Sequence, residues 1–229
     1  MTAETLAAGA FHLWRYTFPA ALGDAARTVA VALNADEQTA AGRYVFPDDG
    51  ARYILRRAFL RNVLAYYVGV SPQDVRLQFG PRGKPSLSSF SIEFNATGTR
   101  LQNLVVVTKG LGVGIDAEPV GRLADLEILI RSALAPMEAD WVTKGNDLER
   151  RRRFLRLWCR KEACLKAYGL GLQEELSRLP VLSDQVAVGT AGMAYLQDLD
   201  LDAGHIVALA TTRPCAPLVL VRGDRRIQF

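Results

Sequence analysis

Histidine is almost missing from this chain: His12 and His205 are the whole supply. Neither has a partner set close to it in sequence, so a serine–histidine–aspartate relay or a histidine-rich metal site is hard to assemble. Cysteine is scarce too. Cys159, Cys164 and Cys215 form an odd, widely spaced set, which argues against a disulfide framework, and no CxxC pair points to zinc. A reducing, cytoplasmic setting is the simplest expectation. No run of about 18 apolar residues is present, so no membrane span is expected. The opening residues MTAETLAAGAFHLWRY lack the basic stretch and long apolar core of a secretion signal. Two phosphate-binding signatures are also absent. Gly110, Gly112 and Gly114 alternate instead of taking the dinucleotide-binding spacing, and Gly83-Lys84 is followed by Pro85, not by serine or threonine.

What remains is an ordinary globular composition. The 229 residues are 49% apolar and 23% charged, enough for a sizeable core in one large domain or two small ones. A net charge of +4 suits an acidic partner or a phosphate-rich ligand. No nucleic-acid-binding module accompanies that charge, so no nucleic-acid partner is expected.

Periodicity predicts strands at 11–17, 75–79, 91–95, 103–108 and 112–118, then at 185–189, 204–211 and 217–221. Helices are predicted at 48–68, 123–133, 136–143 and 147–168, the first and last ending at Gly69 and Gly169. Asn34 followed by Glu37 has the spacing of a helix start with a reciprocal cap. The residues between 80 and 87 (GPRGKPSL) read as a loop. The order is α+β, with two halves of similar length, 1–111 and 112–229, and no linker between them.

Two segments carry chemistry. In Gly112-Val-Gly-Ile-Asp-Ala-Glu118 an apolar strand ends in two acids spaced by two, so Asp116 and Glu118 share one face. Either both acids are hydrated at a strand end, or a hard divalent cation offsets their repulsion. On the helix that follows, Trp158, Glu162 and Lys166 stack at intervals of four, with Lys161 beside the row. Glu162 and Lys166 are either an exposed ion pair or, with Lys161, ligands of a cation and its phosphates. The run Glu149–Arg153 reads as a solvated helix face, and Cys159 and Cys164 as packing residues.

GVGIDAE (112–118), followed some forty residues later by FLRLWCRKEACLKAYGLGL (154–172), resembles the 4'-phosphopantetheinyl transferase superfamily. That family carries a glycine–aspartate–x–glutamate strand and a W-x-x-K-E-A-x-x-K-x-x-G helix; the helix motif is the more specific. GRYVFPDDGARYILRRAFLRNVLAYYVG (42–69) and GKPSL (83–87) are similar to the N-terminal half of the larger single-chain members.

The resemblance implies two similar lobes related by a pseudo-twofold, each a small sheet packed on helices, with coenzyme A between them. It also implies transfer of the phosphopantetheine group to a serine of an acidic acyl or peptidyl carrier protein, by a monomer. Asp116, Glu118 and Glu162 match the family's magnesium ligands. Lys161 and Lys166 match lysines near the diphosphate and the transferred group. Arg52 and Lys84, the latter followed by Pro85, match groups near the adenine and 3'-phosphate. Glu138 matches a second acid beside the chemistry, so Glu162, or Glu138 through water, is implied as the acceptor of the serine proton, with Lys166 as a catalytic cation.

One departure stands out. Where the family has serine–histidine–serine after the FN of a strand, with the histidine on the coenzyme A phosphates, this chain has Thr97-Gly98-Thr99-Arg100. Thr97 and Thr99 keep hydroxyls for the substrate, and Arg100 offers charge from a shifted position. Losing one charged hydrogen bond to phosphate costs about 1.5–3 kcal/mol. A member that binds coenzyme A or a carrier without turnover is therefore the alternative.

Overall fold

The computed structural model describes residues 6, 10–88, 90–121, 123–171, 176–215 and 218–222, the last five by backbone alone. Its elements run β1 (Phe11–Thr17), α1 (Leu22–Val29), α2 (Ala35–Ala41), α3 (Pro47–Val68), β2 (Leu77–Phe79), β3 (Pro85–Leu87), β4 (Ile92–Gly98), β5 (Gln102–Lys109) and β6 (Val113–Pro119). Then come α4 (Leu126–Ala133), α5 (Pro136–Thr143), α6 (Asp147–Tyr168), β7 (Gln185–Val188), β8 (Gly192–Leu199), β9 (His205–Thr211) and β10 (Leu218–Arg222). The class is α+β, as the pattern predicts.

Two four-stranded sheets form the body, ordered β10-β1-β5-β4 and β6-β9-β8-β7. All pairings are antiparallel except β1 with β10. β10 comes from the far end of the chain, so the first sheet draws on both sides of the expected boundary at 111. Strand alternation builds the layers. Val105 and Val107 of β5 face α3, with Trp14, Phe59 and Phe94. Leu104 and Val106 face the second sheet, meeting Val113, Ile115, Val207 and Leu209. The outer face of that sheet packs on α6 through Ala208, Ala210, Ala163 and Leu155. The result is four layers: α3, sheet, sheet, α6.

Both long helices end where the sequence stops them, at Gly69 and Gly169, which take φ of 72° and 67°. That left-handed cap needs no side chain. The expected cap at Asn34 is present: its Oδ1 accepts the Glu37 amide at 2.9 Å and its own amide donates to Glu37 Oε2 at 3.2 Å. Sequence reasoning missed α1, β3 and β8. α1 has no side-chain cap to announce it, and β3 lies in the Gly/Pro segment that reads as loop.

Glu37 does more than cap. It is buried, and its carboxylate also takes Arg57 and Arg61, the latter 1% exposed and bonded onward to the carbonyls of Pro72 and Val75. Burial alone would raise the Glu37 carboxyl, but Arg61 and Arg57 outweigh it and hold it below its ordinary 4.5. The pair therefore stabilises the fold above that value, and the contribution is lost as pH falls through the depressed value. Glu37→Gln is expected to reduce unfolding free energy at neutral pH by about 3–5 kcal/mol, because Arg61 is left buried without its partner. Denaturant titration at neutral pH and below about pH 4 checks this: the gap to the wild-type chain should shrink in acid.

Candidate active site

The site begins at a glycine. A Cβ on Gly114 would overlap the Ala163 carbonyl and meet the Ala167 amide, so α6 lies directly on the backbone of β6. Alternation then turns Asp116 and Glu118 toward the helix, because Val113, Ile115 and Ala117 face the other sheet. Helical period brings Glu162 and Lys166 to the same seam. Lys166 Nζ donates to Asp116 Oδ1 at 2.6 Å and to the Ile115 carbonyl at 3.3 Å. From the first sheet, Thr97 Oγ1 donates to the same Asp116 oxygen at 3.3 Å.

Two of the remaining oxygens are not satisfied. Asp116 Oδ2 and Glu162 Oε1 are buried without a hydrogen-bond partner, and the weakly donating Cys159 thiol lies beside Asp116 on the helix side. Burial raises the Glu118 carboxyl, the Asp116 charge raises it further, Lys166 opposes, and Glu162 adds to the rise. Burial likewise raises Glu162, with Lys166 opposing and Asp116 reinforcing. The three acids thus feel one another across a seam in which Lys166 is the cation paired with Asp116. Orphaned acceptors of this kind are rare in folded proteins and require an explanation.

Lys161 and Glu138 are elsewhere. Lys161 lies two residues from Ala163, about 200° around the helix, on the face turned away from β6. Both side chains are fully buried and paired at 2.6 Å. Lys161 also donates to the carbonyls of Leu176 at 2.9 Å and Leu179 at 2.6 Å, which uses all three of its protons. Glu138 accepts from the amides of Ala135 and Val181. No proton of Lys161 is left for a phosphate, and Glu138 has no open path to a serine. The motif lysine and the second acid are here a core strut tying α5, α6 and residues 176–181 together. Burial lowers the Lys161 ammonium and Glu138 opposes this.

The other predicted ligands are placed as follows. Lys84, whose neighbour Pro85 opens β3, reaches across the seam to the carbonyls of Ala167 at 3.0 Å and Val113 at 3.2 Å. Arg52 is held by Asp48 at 3.4 Å, Asp49 at 3.2 Å and the Arg100 carbonyl at 3.4 Å. Thr99 Oγ1 meets His205 Nε2 at 3.3 Å, while His205 Nδ1 lies 2.8 Å from Asp202. That histidine escaped sequence reasoning, although Asp202 three residues upstream was a signal. The cysteines are packing residues as predicted: burial drives the Cys159 thiol well up, and the Cys164 thiol to about 12. A second cleft, lined by Trp141, Arg152, Arg156, Asp198 and His205, also involves α6. Its Arg156 is already paired with Asp198, and Arg152 with the Ala203 carbonyl.

An α+β protein with unsatisfied carboxylates and a lysine at a strand–helix seam is suited to holding a cation and phosphates. Residues 112–210 match the model of the 4'-phosphopantetheinyl transferase superfamily. The chain is 32% identical to the 4'-phosphopantetheinyl transferase HetI of Nostoc sp. over 215 residues, 90% of this chain and 89% of that protein. It is 29% identical over 169 residues to a putative 4'-phosphopantetheinyl transferase of Synechocystis sp., covering 72% and 67% of the two chains. To Sfp of Bacillus subtilis it is 24% identical over 182 residues, 76% of this chain and 80% of that one. The chain belongs to the 4'-phosphopantetheinyl transferase superfamily and is an enzyme of the transferase class.

Glu138→Gln separates a strut from a catalytic acid. It is expected to destabilise the fold by about 3–5 kcal/mol in denaturant titration, since it strands Lys161 in the core. A purely catalytic Glu138 would leave stability near that of the wild-type chain.

Proposed function

We propose that this chain transfers the 4'-phosphopantetheine group from coenzyme A to a serine of a carrier protein, at the seam between β6 and α6. The observation that carries the reading is the pair of orphaned buried oxygens, Asp116 Oδ2 and Glu162 Oε1, beside Lys166. Among the described residues, no three acid, imidazole or thiol groups already stand as a metal cage. Magnesium does not need one: it keeps waters and is held by one or two carboxylates plus substrate phosphates. Asp116 and Glu162 fit that role, with Glu118 the adjoining carboxylate. When bound, the ion supplies charge neutralisation at the diphosphate.

The chain's own groups do the rest. The serine oxygen forms a bond to the β-phosphorus, and the phosphorus–oxygen bond to 3',5'-ADP breaks. Lys166, released from Asp116 by the incoming phosphates, donates to the oxygens where charge grows. With both oxygens of Glu138 engaged, the serine proton passes to Glu162 or to a water beside it, although a cation held on Glu162 would lower its basicity. Thr97 orients Asp116. The net charge of +4 favours an acidic acyl or peptidyl carrier, approached faster at low salt.

We also read the two sheet-and-helix units as similar lobes with a boundary near 111, acting as a monomer in the cytoplasm. Two 22-residue helices with the same glycine ending, each covering a four-stranded sheet, support that reading. Among the described residues no helix is long and apolar enough to cross a membrane. Gly98 favours a second reading, in which coenzyme A or a carrier is bound without turnover.

Fluorescent coenzyme A and an apo carrier are expected to yield labelled carrier with magnesium and none with chelator. Glu162→Gln should slow labelling a hundredfold or more, on the order expected for removing a key electrostatic group. Labelling that survives chelation would overturn the metal assignment. Tight coenzyme A binding with no labelling of several carriers would establish the second reading.

A further inference from the structure

α3 carries four arginines, and three of them have acids. Arg52 pairs with Asp48 and Asp49, while Arg57 and Arg61 share Glu37. Among the described residues, Arg56 has no carboxylate within ion-pair distance. One of its terminal nitrogens donates to the Thr99 carbonyl at 2.7 Å, and the guanidinium carbon lies 5.8 Å from the centre of the Phe18 ring. Its Nε is buried without a partner. A half-buried cation with no carboxylate paired to it, and only the more distant charge of Asp49 to offset it, is destabilising by itself. Burial lowers its proton affinity, and the neighbouring Arg52 lowers it further.

The place it occupies is defined by Gly98. Residue 98 closes β4 opposite Asn103 and, by alternation with Phe94 and Ala96, faces α3. A Cβ there would stand 2.8 Å from Arg56 Nε and 3.3 Å from its guanidinium carbon, and 2.9 Å from Asn103 Oδ1. A side chain at 98 and the guanidinium of Arg56 therefore compete for one space. The flanking residues tie this spot to the candidate active site, since Thr97 bonds Asp116. Arg100, the other cation near the loop, is exposed, and its carbonyl is engaged by Arg52.

We infer that Arg56 is a phosphate ligand of coenzyme A, seated in the space that Gly98 leaves open. The inference rests on the proposed transfer reaction and names a binding group for it. The ligand chemistry is a phosphate ester or diphosphate. Arg56 presents a planar fork, which suits that geometry better than a point charge.

Titration calorimetry of the wild-type chain, Arg56→Gln and Gly98→Val with coenzyme A and with 3'-dephospho-coenzyme A tests this. Circular dichroism checks that each variant is folded. Arg56→Gln should weaken coenzyme A binding about ten- to a hundredfold and flatten its salt dependence. Gly98→Val adds no charge and no donor but displaces the guanidinium, so it should weaken binding comparably and stands in if Arg56→Gln misfolds. A loss seen only with coenzyme A assigns Arg56 to the 3'-phosphate; an equal loss with both ligands assigns it to the diphosphate. In the double variant Arg56→Ala, Gly98→His, an imidazole refills the space and should recover part of the affinity. Wild-type binding that Arg56→Gln or Gly98→Val leaves within about twofold would overturn the inference while leaving the transfer reading intact. No binding by the wild-type chain would overturn both.

Discussion

The closeness of α6 to β6 sets the terms for everything around it. A helix packed on a sheet normally rides on side chains, which hold the two backbones apart. At Gly114 there is no side chain, and Ala163 on the helix is small, so backbone rests on backbone. That brings the Lys166 ammonium within 2.6 Å of Asp116 and sets Glu162 beside it. The same approach shuts out water, which is why the carboxyls of Glu118 and Glu162 hold their protons more readily than free ones. A site with strong fields follows from one missing Cβ.

Buried charge in this molecule falls into two kinds. Some groups close on themselves. Glu37 takes Arg57 and Arg61, Glu138 takes Lys161, and Arg160 takes Asp184 and Asp198 together with the Val181 carbonyl. These networks have little bonding capacity left and act as struts between elements. Others remain open among the described residues: Asp116 Oδ2, Glu162 Oε1 and the Nε of Arg56, which has no acid paired to it, besides those of Arg15 and Arg150, whose terminal nitrogens do. Open carboxylates lie at the β6–α6 seam, and Arg56 lies behind β4 against Gly98, the residue next to Thr97, which bonds Asp116. A ligand that is anionic along its length and meets a divalent cation at one end would complement both sets.

Much of this was legible from residue order, and the limits have a physical cause. Caps, glycine stops and strand alternation act over a few residues, so α2, α3, α6 and β6 could be read locally, as could the shared face of Asp116 and Glu118. Helical period placed Glu162 and Lys166 correctly on one row. It also put Lys161 one residue from Glu162, and there adjacency misled: 100° of helix separates a side chain in the seam from one in the core. Neighbours in a motif need not share a site. The roles of His205 and Arg56 were missed for a different reason, although Asp202 hinted at the first. Their partners, Thr99 and Gly98, arrive together from the distant end of β4, and no local pattern records that a strand glycine will be covered by a helix arginine.

That last contact also changes how the missing histidine is understood. Read along the chain, glycine at 98 is a loss: a charged group is gone from where the family holds phosphate. Read in space, the loss is an opening. The nitrogen of Arg56 would stand 2.8 Å from any Cβ added there, so the arginine can take this position only because residue 98 is glycine. Substituting the strand residue and substituting the helix residue are then not independent events, since each determines what the other can be. A cation is kept at the site, but it is carried by α3 instead of β4. The guanidinium also stays charged at any pH where the fold survives, whereas an imidazole would titrate near neutrality. Phosphate binding anchored in this way would be less sensitive to pH than binding that depends on a histidine.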